Sequence, residues 1–304
     1  MFFGTPAWAV PSLEALLASP IEVAAVVTNP DRPAGRGLRT GPTPVKARAS
    51  QAGVALLQPT SARDPSLQEA VAELAPDVCV VVAYGRILPG ALLALPRLGF
   101  VNLHFSLLPA YRGAAPVQRA LLDGASETGV SVMLLTEGLD EGPLLATVAT
   151  PVRPDDNAGN LGERLARLGA PLLVRSIEAY AAGELQPRPQ DHGRATYAPK
   201  VSTDEARIDW TRPAAEIVNL VRACNPEPGA WTTLRGRRVK VYSAASAGPG
   251  AALEPGRVQA AAGLVAGAGD GGVALLEVQV AGRRRVSGEE AARGLRLSEE
   301  EAFG

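Results

Sequence analysis

The chain has 304 residues, of which 46% are hydrophobic and 20% charged, and its formal net charge at pH 7 is -1. This length exceeds the usual size of one domain, so two domains are expected. No apolar run approaches the roughly 18 residues of a membrane-spanning helix, which argues against a membrane partner. The start has no basic segment followed by an apolar run, so we expect no signal peptide.

Cysteine usage points to a reducing compartment. The two cysteines, Cys79 in an apolar segment and Cys224 in a predicted helix, have neither the number nor the spacing of a disulfide scaffold or a zinc site. We therefore expect a cytoplasmic protein whose thiols belong to the core, with no bound metal.

The first third of the chain alternates strands and helices. Strands are predicted at residues 1–4, 21–28, 56–58 and 78–83, and helices at 8–19 and 65–74. Residues 78–82 are continuously apolar, which is typical of a strand covered on both faces. This order predicts an α/β, Rossmann-like domain with a mostly parallel sheet. The first turn lacks G-x-G-x-x-G and no acid ends the second strand, which argues against NAD.

A long loop rich in Pro, Gly and Arg follows the second strand. It begins at Asn29, and five cations lie between Asp31 and Arg48 against one anion. Long loops in compact domains are usually functional or disordered. The cluster, like a second basic stretch at residues 235–240, fits either a polyanion-binding surface or a solvated face.

Polar chemistry is densest at residues 99–116. Residues 99–104 predict a strand with Asn102 and His104 on one face, because side chains two residues apart in a strand point the same way. A loop over 106–113 and a helix over 116–122, with Pro116 in its first turn, follow. Strand, loop and helix in this order form the geometry of a binding site.

Asp140 lies in a Gly-rich turn between strands predicted at 129–135 and 144–152. An Asp in such a turn either caps the local backbone or brings an acid to the site. A helix is predicted over 161–180. Residues 186–191 break the composition and suggest a linker. Beyond them, short strand-like runs separated by Gly and Pro predict a small barrel, with 244–252 and 260–272 as surface loops.

Two motifs resemble those of the methionyl-tRNA formyltransferases, within the enzymes that use 10-formyltetrahydrofolate. Residues 102–109 (NLHFSLLP) with 112–116 (RGAAP) resemble the catalytic segment, and residues 138–143 (GLDEGP) resemble the second catalytic motif. The resemblance covers nearly the whole chain. It implies formylation of initiator methionyl-tRNA by 10-formyltetrahydrofolate, in a catalytic domain over 1–185, a linker over 186–205 and an OB-like tRNA-binding domain over 206–304.

The resemblance also implies roles for single residues. Asn102 would donate a hydrogen bond to the oxyanion, and His104 would either donate to the same oxygen or relay a proton. Asp140 would either fix the imidazole or act through a water as the base. Residues implied to contact folate are Ser106, Leu107, Leu108 and Pro109. Ile87 and Leu88 either wall the pterin pocket or belong to the core. Arg36, with Arg32 and Arg39, would contact tRNA phosphates.

Two positions depart from the familiar pattern. Phe105 replaces a small residue between His104 and Ser106, and Glu141 stands where Thr is common. We expect an extended backbone at Phe105, because a positive φ would strain it. Two alternatives stay open: a sugar-nucleotide amine as acceptor, and an RNA-binding module without catalysis. The sequence does not address oligomeric state directly, and we expect a monomer.

Overall fold

A computed structural model describes residues 1–34, 39–248, 253–260, 263–295, 297–298 and 301–304. They form two compact units. Unit 1 comprises Met1–Pro116, Glu127–Pro151 and Gly162–Ala198, and unit 2 comprises Val117–Ser126, Val152–Leu161 and Pro199–Gly304. The last change of unit, after Ala198, falls within the predicted linker 186–205. The domain boundaries themselves stay a prediction.

The elements follow one another in an α/β order and then an all-β order. They are β1 (Phe2–Gly4), α1 (Val10–Leu17), β2 (Ala25–Val27), β3 (Arg32–Ala34), β4 (Arg39–Gly41), α2 (Pro44–Gln51), β5 (Ala55–Leu57), α3 (Pro65–Leu74), β6 (Cys79–Val82), α4 (Gly90–Leu93), β7 (Phe100–His104), α5 (Pro116–Leu122), β8 (Glu127–Leu134), β9 (Leu144–Pro151), α6 (Ala158–Ala181), α7 (Ala214–Cys224), β10 (Ala230–Leu234), β11 (Arg237–Gly248), β12 (Val258–Ala260), β13 (Leu264–Ala268), β14 (Gly271–Val280), β15 (Val286–Ser287) and α8 (Gly288–Leu295).

Unit 1 contains a seven-stranded sheet in the order β5-β2-β1-β6-β7-β8-β9. The pairs from β5 to β7 are parallel, and β8 and β9 are antiparallel. The Rossmann-like, mostly parallel sheet predicted from the sequence is therefore confirmed. Helices α3 and α5 cover the predicted residues. Helix α2 was missed, although Thr43 and Pro44 signal its start, with the Thr43 hydroxyl accepting a hydrogen bond from Lys46 N at 3.1 Å.

The sheet of unit 1 is buried on the strands that carry the site. All residues of β1, β6 and β7 are buried, and the Phe3 ring packs 5.4 Å from Phe100 and 5.6 Å from Tyr84. Burial raises the pKa of the Cys79 thiol to about 12, so this thiol is protonated and unreactive at neutral pH. Such strands give the site a rigid base.

Phe105, one of the two unusual positions, packs against Trp8. Their ring centroids are 5.9 Å apart and the planes are almost perpendicular at 83°, a favourable edge-to-face arrangement. Phe105 is not among the residues with positive φ, as expected. The indole of Trp8 lies over Gly162 of α6, where an added Cβ would come within 2.1 Å of the ring. The Trp8 ring against which Phe105 packs thus requires a glycine at position 162 of α6.

Unit 2 contains an antiparallel sheet in the order β10-β11-β14-β13-β12, with β15 paired to β14. This confirms a β-rich second domain. Among the described residues β10 and β12 are the ends of the ladder, so the expected closed OB-like barrel stays a prediction. Trp210 stacks on Phe303 at 5.3 Å, and its indole N–H donates to Thr232. These contacts tie the last described residues to β10.

The predicted surface loops of unit 2 were wrong in part. Strand β11 continues through Gly248, and β13 occupies residues 264–268, whereas 249–252 and 261–262 lie outside the described residues. Ala and Gly have low strand propensity, which hid these strands. At Gly267 an added Cβ would lie 2.1 Å from the carbonyl oxygen of Glu254. Glycine is used there because two backbones approach closely.

None of the helices in the described part of the chain combines the length and apolar character needed to cross a membrane.

We predict that Gly162→Ala destabilises the protein. Alanine favours the helix by about 1 kcal/mol over glycine, but its Cβ clashes with Trp8, and overpacking a filled core costs about 1 to 3 kcal/mol. The clash is expected to dominate. Gly294→Ala in α8 is the control, because no atom lies within 4 Å of the added Cβ. Urea unfolding measures both, and a Gly162→Ala protein as stable as Gly294→Ala would contradict the packing argument.

Candidate active site

Asn102 and His104 lie on β7 and are both buried. Their strand pairs with β8, so that Asn102 faces Met133 and His104 faces Ser131. Within the part of the chain that the structure describes, the Asn102 amide makes no side-chain hydrogen bond. A buried amide ordinarily finds a partner. This one is therefore free of a partner among the described residues and available to donate a hydrogen bond.

The surroundings of His104 fix which ring nitrogen carries hydrogen. Nε2 lies 2.8 Å from the carbonyl oxygen of Tyr111, and a carbonyl only accepts, so Nε2 donates. Tyr111 has a left-handed backbone with φ of 61°. Nδ1 lies 3.6 Å from Asp140 Oδ2. In the neutral ring Nδ1 is then the free base, facing a carboxylate that stabilises the ring once it is protonated.

Asp140 is brought to His104 by the turn after β8. Its Oδ2 accepts a 2.8 Å hydrogen bond from the backbone N–H of Gly113, and its φ of 50° is left-handed. The same oxygen therefore links the turn after β8 with the loop after β7. The two motifs predicted from the sequence thus meet at one carboxylate.

Glu141, the second unusual position, lies apart from the imidazole. Its side chain is 45% exposed against 14% for Asp140, and its Oε2 lies 4.0 Å from Nη1 of buried Arg112. Of the two adjacent acids, Asp140 is the one that faces His104. Glu141 instead balances the charge of an arginine.

The predicted folate-binding residues form a tight loop after β7. The Ser106 hydroxyl donates to the carbonyl oxygen of Ala110 at 2.6 Å. The Ser131 hydroxyl of β8 donates to Ser106 O at 2.7 Å and accepts from Leu108 N at 3.0 Å. Leu107 packs over Gly129, where an added Cβ would lie 2.5 Å from its Cδ2. The loop that ends at Pro109 is thus fixed by a buried serine of the next strand.

The remaining predicted residues lie elsewhere. Leu88 is buried in the core of unit 1, whereas the Ile87 side chain is 84% exposed, so the two do not form one wall. Arg32 and Arg39 lie on β3 and β4, which pair antiparallel. Arg36 lies outside the described residues.

Comparison with known proteins gives the family. Residues 1–177 match the family described as formyl transferase, and residues 200–296 match the formyl transferase C-terminal domain. A methionyl-tRNA formyltransferase of Thermobifida fusca is 49% identical over 305 residues, which cover 100% of this chain and 98% of that protein. The chain belongs to the methionyl-tRNA formyltransferase family. A Streptomyces coelicolor member is also 49% identical, over 306 residues covering 100% of this chain and 99% of the relative.

Solved structures share the fold of this formyltransferase at low identity. An N-formyltransferase of Helicobacter canadensis, in complex with folinic acid and dTDP-3-aminofucose, has a TM-score of 0.68 at 18% identity, covering 90% of this chain and 97% of that chain. HypX of Aquifex aeolicus, in complex with tetrahydrofolic acid, has a TM-score of 0.61 at 19% identity. The match covers 81% of this chain and 43% of the HypX chain. At these identities the likeness establishes the fold alone.

Sequence analysis of this formyltransferase missed two buried residues that support the site. Ser131 lies in a strand whose apolar character hid its role. Gln190 lies in the predicted linker, yet its side chain bonds to Arg112, Asp140 and Gly142. Residues 186–198 pair with the site loops, for example through Arg112 N donating to Thr196 O. In the sequence, only the presence of amides in a Pro-rich stretch offered a signal, and it does not distinguish Gln190 from Gln186.

We predict that Ser131→Ala weakens the loop over residues 106–109, to which Ser131 bonds. The change leaves Leu108 N and Ser106 O without their shared partner, which costs about 1 to 3 kcal/mol for buried groups. We expect the free energy of unfolding measured in urea to fall by that amount. We also expect the KM for the folate substrate to rise. Thr147→Ala on β9 is the control, because Thr147 is not buried. Unchanged stability and KM in Ser131→Ala would show that the loop keeps its conformation without the hydrogen bonds of Ser131.

Proposed function

We propose that this formyltransferase transfers the formyl group of 10-formyltetrahydrofolate to the free α-amino group of initiator methionyl-tRNA, for translation initiation. The observation that carries the proposal is that Asn102 and His104 lie two residues apart on β7, with His104 Nδ1 3.6 Å from Asp140 Oδ2. Family membership supplies the acceptor and the donor. The folate ligands of the two structural neighbours agree with the donor.

The reaction needs one new bond, one broken bond and one proton transfer. The amine nitrogen attacks the formyl carbon, the carbonyl oxygen becomes an oxyanion, and the bond from carbon to the folate nitrogen then breaks. The proton lost by the amine ends on the folate nitrogen, so charge and atoms balance. The enzyme has to stabilise the oxyanion and carry the proton.

Asn102 is the oxyanion donor in this proposal. Its amide is buried and unengaged by the described residues, so no internal hydrogen bond has to break when it donates. A fixed donor aimed at the developing charge is worth about 3 to 4 kcal/mol. The pairing of β7 with β8 holds the amide in place before the substrate arrives.

His104 and Asp140 carry the proton. Because Nε2 of His104 is engaged by Tyr111 O, Nδ1 is the nitrogen that accepts a proton from the amine, directly or through a water. Asp140 stabilises the imidazolium that forms, whereas the Tyr111 carbonyl oxygen holds the neutral ring in this tautomer. The folate is held beside them by residues 106–109, with Ile87 at the exposed rim and Leu88 shaping the loop from the core.

We predict that Asn102→Ala and Asp140→Asn each lower the turnover number about 100- to 1,000-fold, with tRNA affinity unchanged within about threefold, because they remove groups that act in the transition state. Single-turnover formylation of methionyl-tRNA and filter binding measure the two quantities. Uncharged tRNA and an amino-sugar nucleotide serve as acceptor controls. Formylation of the sugar alone, or normal turnover in either variant, would contradict the corresponding part of the proposal.

Two sets of residues supply the proposed contacts to tRNA. The loop of unit 1 supplies phosphate contacts through Arg32, Arg36 and Arg39. One face of the sheet of unit 2 supplies further contacts. On that face Arg238 Cζ lies 4.0 Å from the centroid of the Trp231 ring and Arg207 Cζ lies 5.7 Å from it. Lys240 pairs with Trp231 across the strands. Trp231 is partly buried, and arginine next to a partly exposed aromatic ring is suited to RNA, through phosphate contacts and base stacking.

We predict that Arg36→Gln, and separately the double variant Arg207→Gln with Arg238→Gln, weaken tRNA binding and flatten its salt dependence. Each lost phosphate contact lowers the slope of log K against log salt by about 0.7 to 0.9. Binding titrations from low to physiological salt measure the slope. Arg293→Gln on exposed α8 is the control. An unchanged slope in a variant would remove that surface from the RNA contact.

The proposal also includes a monomeric, cytoplasmic enzyme. One chain contains Asn102, His104 and Asp140 in a single compact unit, so no second copy is required to assemble them. Light scattering at assay concentration checks the mass, and a stable dimer would overturn this part.

A further inference from the structure

The Asp140 turn is held from behind by the side chain of Gln190. The Gln190 amide nitrogen donates to the carbonyl oxygen of Asp140 at 2.9 Å and to that of Gly142 at 2.7 Å. Its carbonyl oxygen accepts from Arg112 Nη2 at 2.8 Å and from Nε at 3.2 Å. Gln190 is only 5% exposed. All four hydrogen-bonding positions of the amide are therefore used.

The orientation of this amide is determined by its partners. Arginine can only donate, and the two backbone carbonyls can only accept. No other residue of comparable length presents one acceptor to Arg112 and two donors to the turn: glutamate has no donor when ionised, and methionine has neither group. Gln190 therefore fits this position through its chemistry as well as its size.

The turn needs such a support because its backbone is strained. Asp140 has a φ of 50°, a left-handed conformation that is uncommon for a residue with a side chain. The carbonyl groups of Asp140 and Gly142 flank this position, and both receive hydrogen bonds from Gln190. The bonds hold the conformation that directs the carboxylate at Gly113 N and the His104 ring.

Arg112 extends the support to the loop after β7. Its guanidinium is buried and bonded to Gln190, while its backbone N–H and C=O pair with Thr196 O and Ala198 N. The next residue, Gly113, donates to Asp140 Oδ2. An added Cβ at Gly113 would lie 2.8 Å from Ala198 O. Gln190 thus holds the loop after β7 through Arg112, and it holds the Asp140 turn through its own hydrogen bonds to that turn.

We propose that Gln190 is a positioning residue for formyl transfer, which acts by holding the Asp140 carboxylate against His104. The inference rests on the proposed role of Asp140. Gln190 itself does not touch the reacting atoms. Its contribution is a distance: small displacements of a reacting group, of about 1 Å, lower rates about 100-fold.

The test is Gln190→Glu, which keeps the shape and the acceptor for Arg112 but replaces both donors with an oxygen facing two carbonyls. We expect the turnover number to fall about 10- to 100-fold, with KM for methionyl-tRNA and for the folate unchanged within about threefold. Gln186→Glu is the matched control, because it makes the same chemical change four residues earlier at an exposed position. Urea unfolding of each variant is measured in parallel.

A double-mutant cycle separates positioning from a general structural role. In an Asp140→Asn background, Gln190→Glu is expected to change the residual single-turnover rate less than about twofold, because the carboxylate that Gln190 positions is already lost. An equal loss in both backgrounds would overturn the proposal. The proposal would also be overturned if Gln190→Glu had wild-type turnover while Asp140→Asn was slow. Wild-type turnover in Asp140→Asn would instead end the proposed role of Asp140.

Gln190→Met is the second variant if Gln190→Glu does not fold. It keeps the length and removes every hydrogen bond, and the same fall in turnover and the same lack of additivity with Asp140→Asn are expected. If neither variant folds at the assay temperature, Gln190 has a structural role alone and the proposal is overturned.

Discussion

One carboxylate oxygen joins the two loops on which the site depends. Asp140 Oδ2 accepts from Gly113 N and faces His104 Nδ1, so the turn after β8 and the loop after β7 cannot move independently. Their strands are antiparallel neighbours in a buried part of the sheet, which fixes where each loop begins. The oxygen then fixes where each loop ends. Buried strands and the Asp140 Oδ2 atom together hold the imidazole and the carboxylate side by side, with His104 Nδ1 3.6 Å from Asp140 Oδ2.

The supports of this arrangement are polar groups in buried places. Ser131 and Gln190 each bond to backbone groups of a site loop, and Arg112 is buried with its charge partnered by Gln190 and Glu141. Buried polar groups are costly unless satisfied, so networks of this kind resist rearrangement. By contrast, burial keeps the thiols of Cys79 and Cys224 protonated, with pKa values raised to about 12. Those thiols serve packing and take no part in the chemistry.

Proteins that share this fold include enzymes with different names and low sequence identity to this chain, whereas the relatives at high identity have one name. Structures of a sugar N-formyltransferase and of HypX share the fold at 18% and 19% identity, whereas the 49% identical relatives are methionyl-tRNA formyltransferases. The site in unit 1 is built from local loops on a common sheet. Trp231 with Arg207 and Arg238 belongs to unit 2. In the proposed function, the reaction centre and the surface that binds the acceptor are separate sets of residues on one fold.

The sequence by itself determined the α/β order, the residues of α3 and α5, and the two motifs that contain Asn102, His104 and Asp140. Hydrophobic periodicity, helix-capping residues and short polar motifs are local properties of the chain, so they can be recognised without the structure. It missed β13 and the end of β11, since Ala and Gly form strands only where neighbouring chains require small residues, as at Gly267. Only the tertiary structure decided that Asp140 rather than Glu141 faces the imidazole, that Nε2 of His104 carries hydrogen, and that Gln190 is buried behind the turn. Those facts depend on contacts between residues 7 to 78 positions apart. Such contacts are set by packing of the whole unit and leave no periodic pattern in the chain.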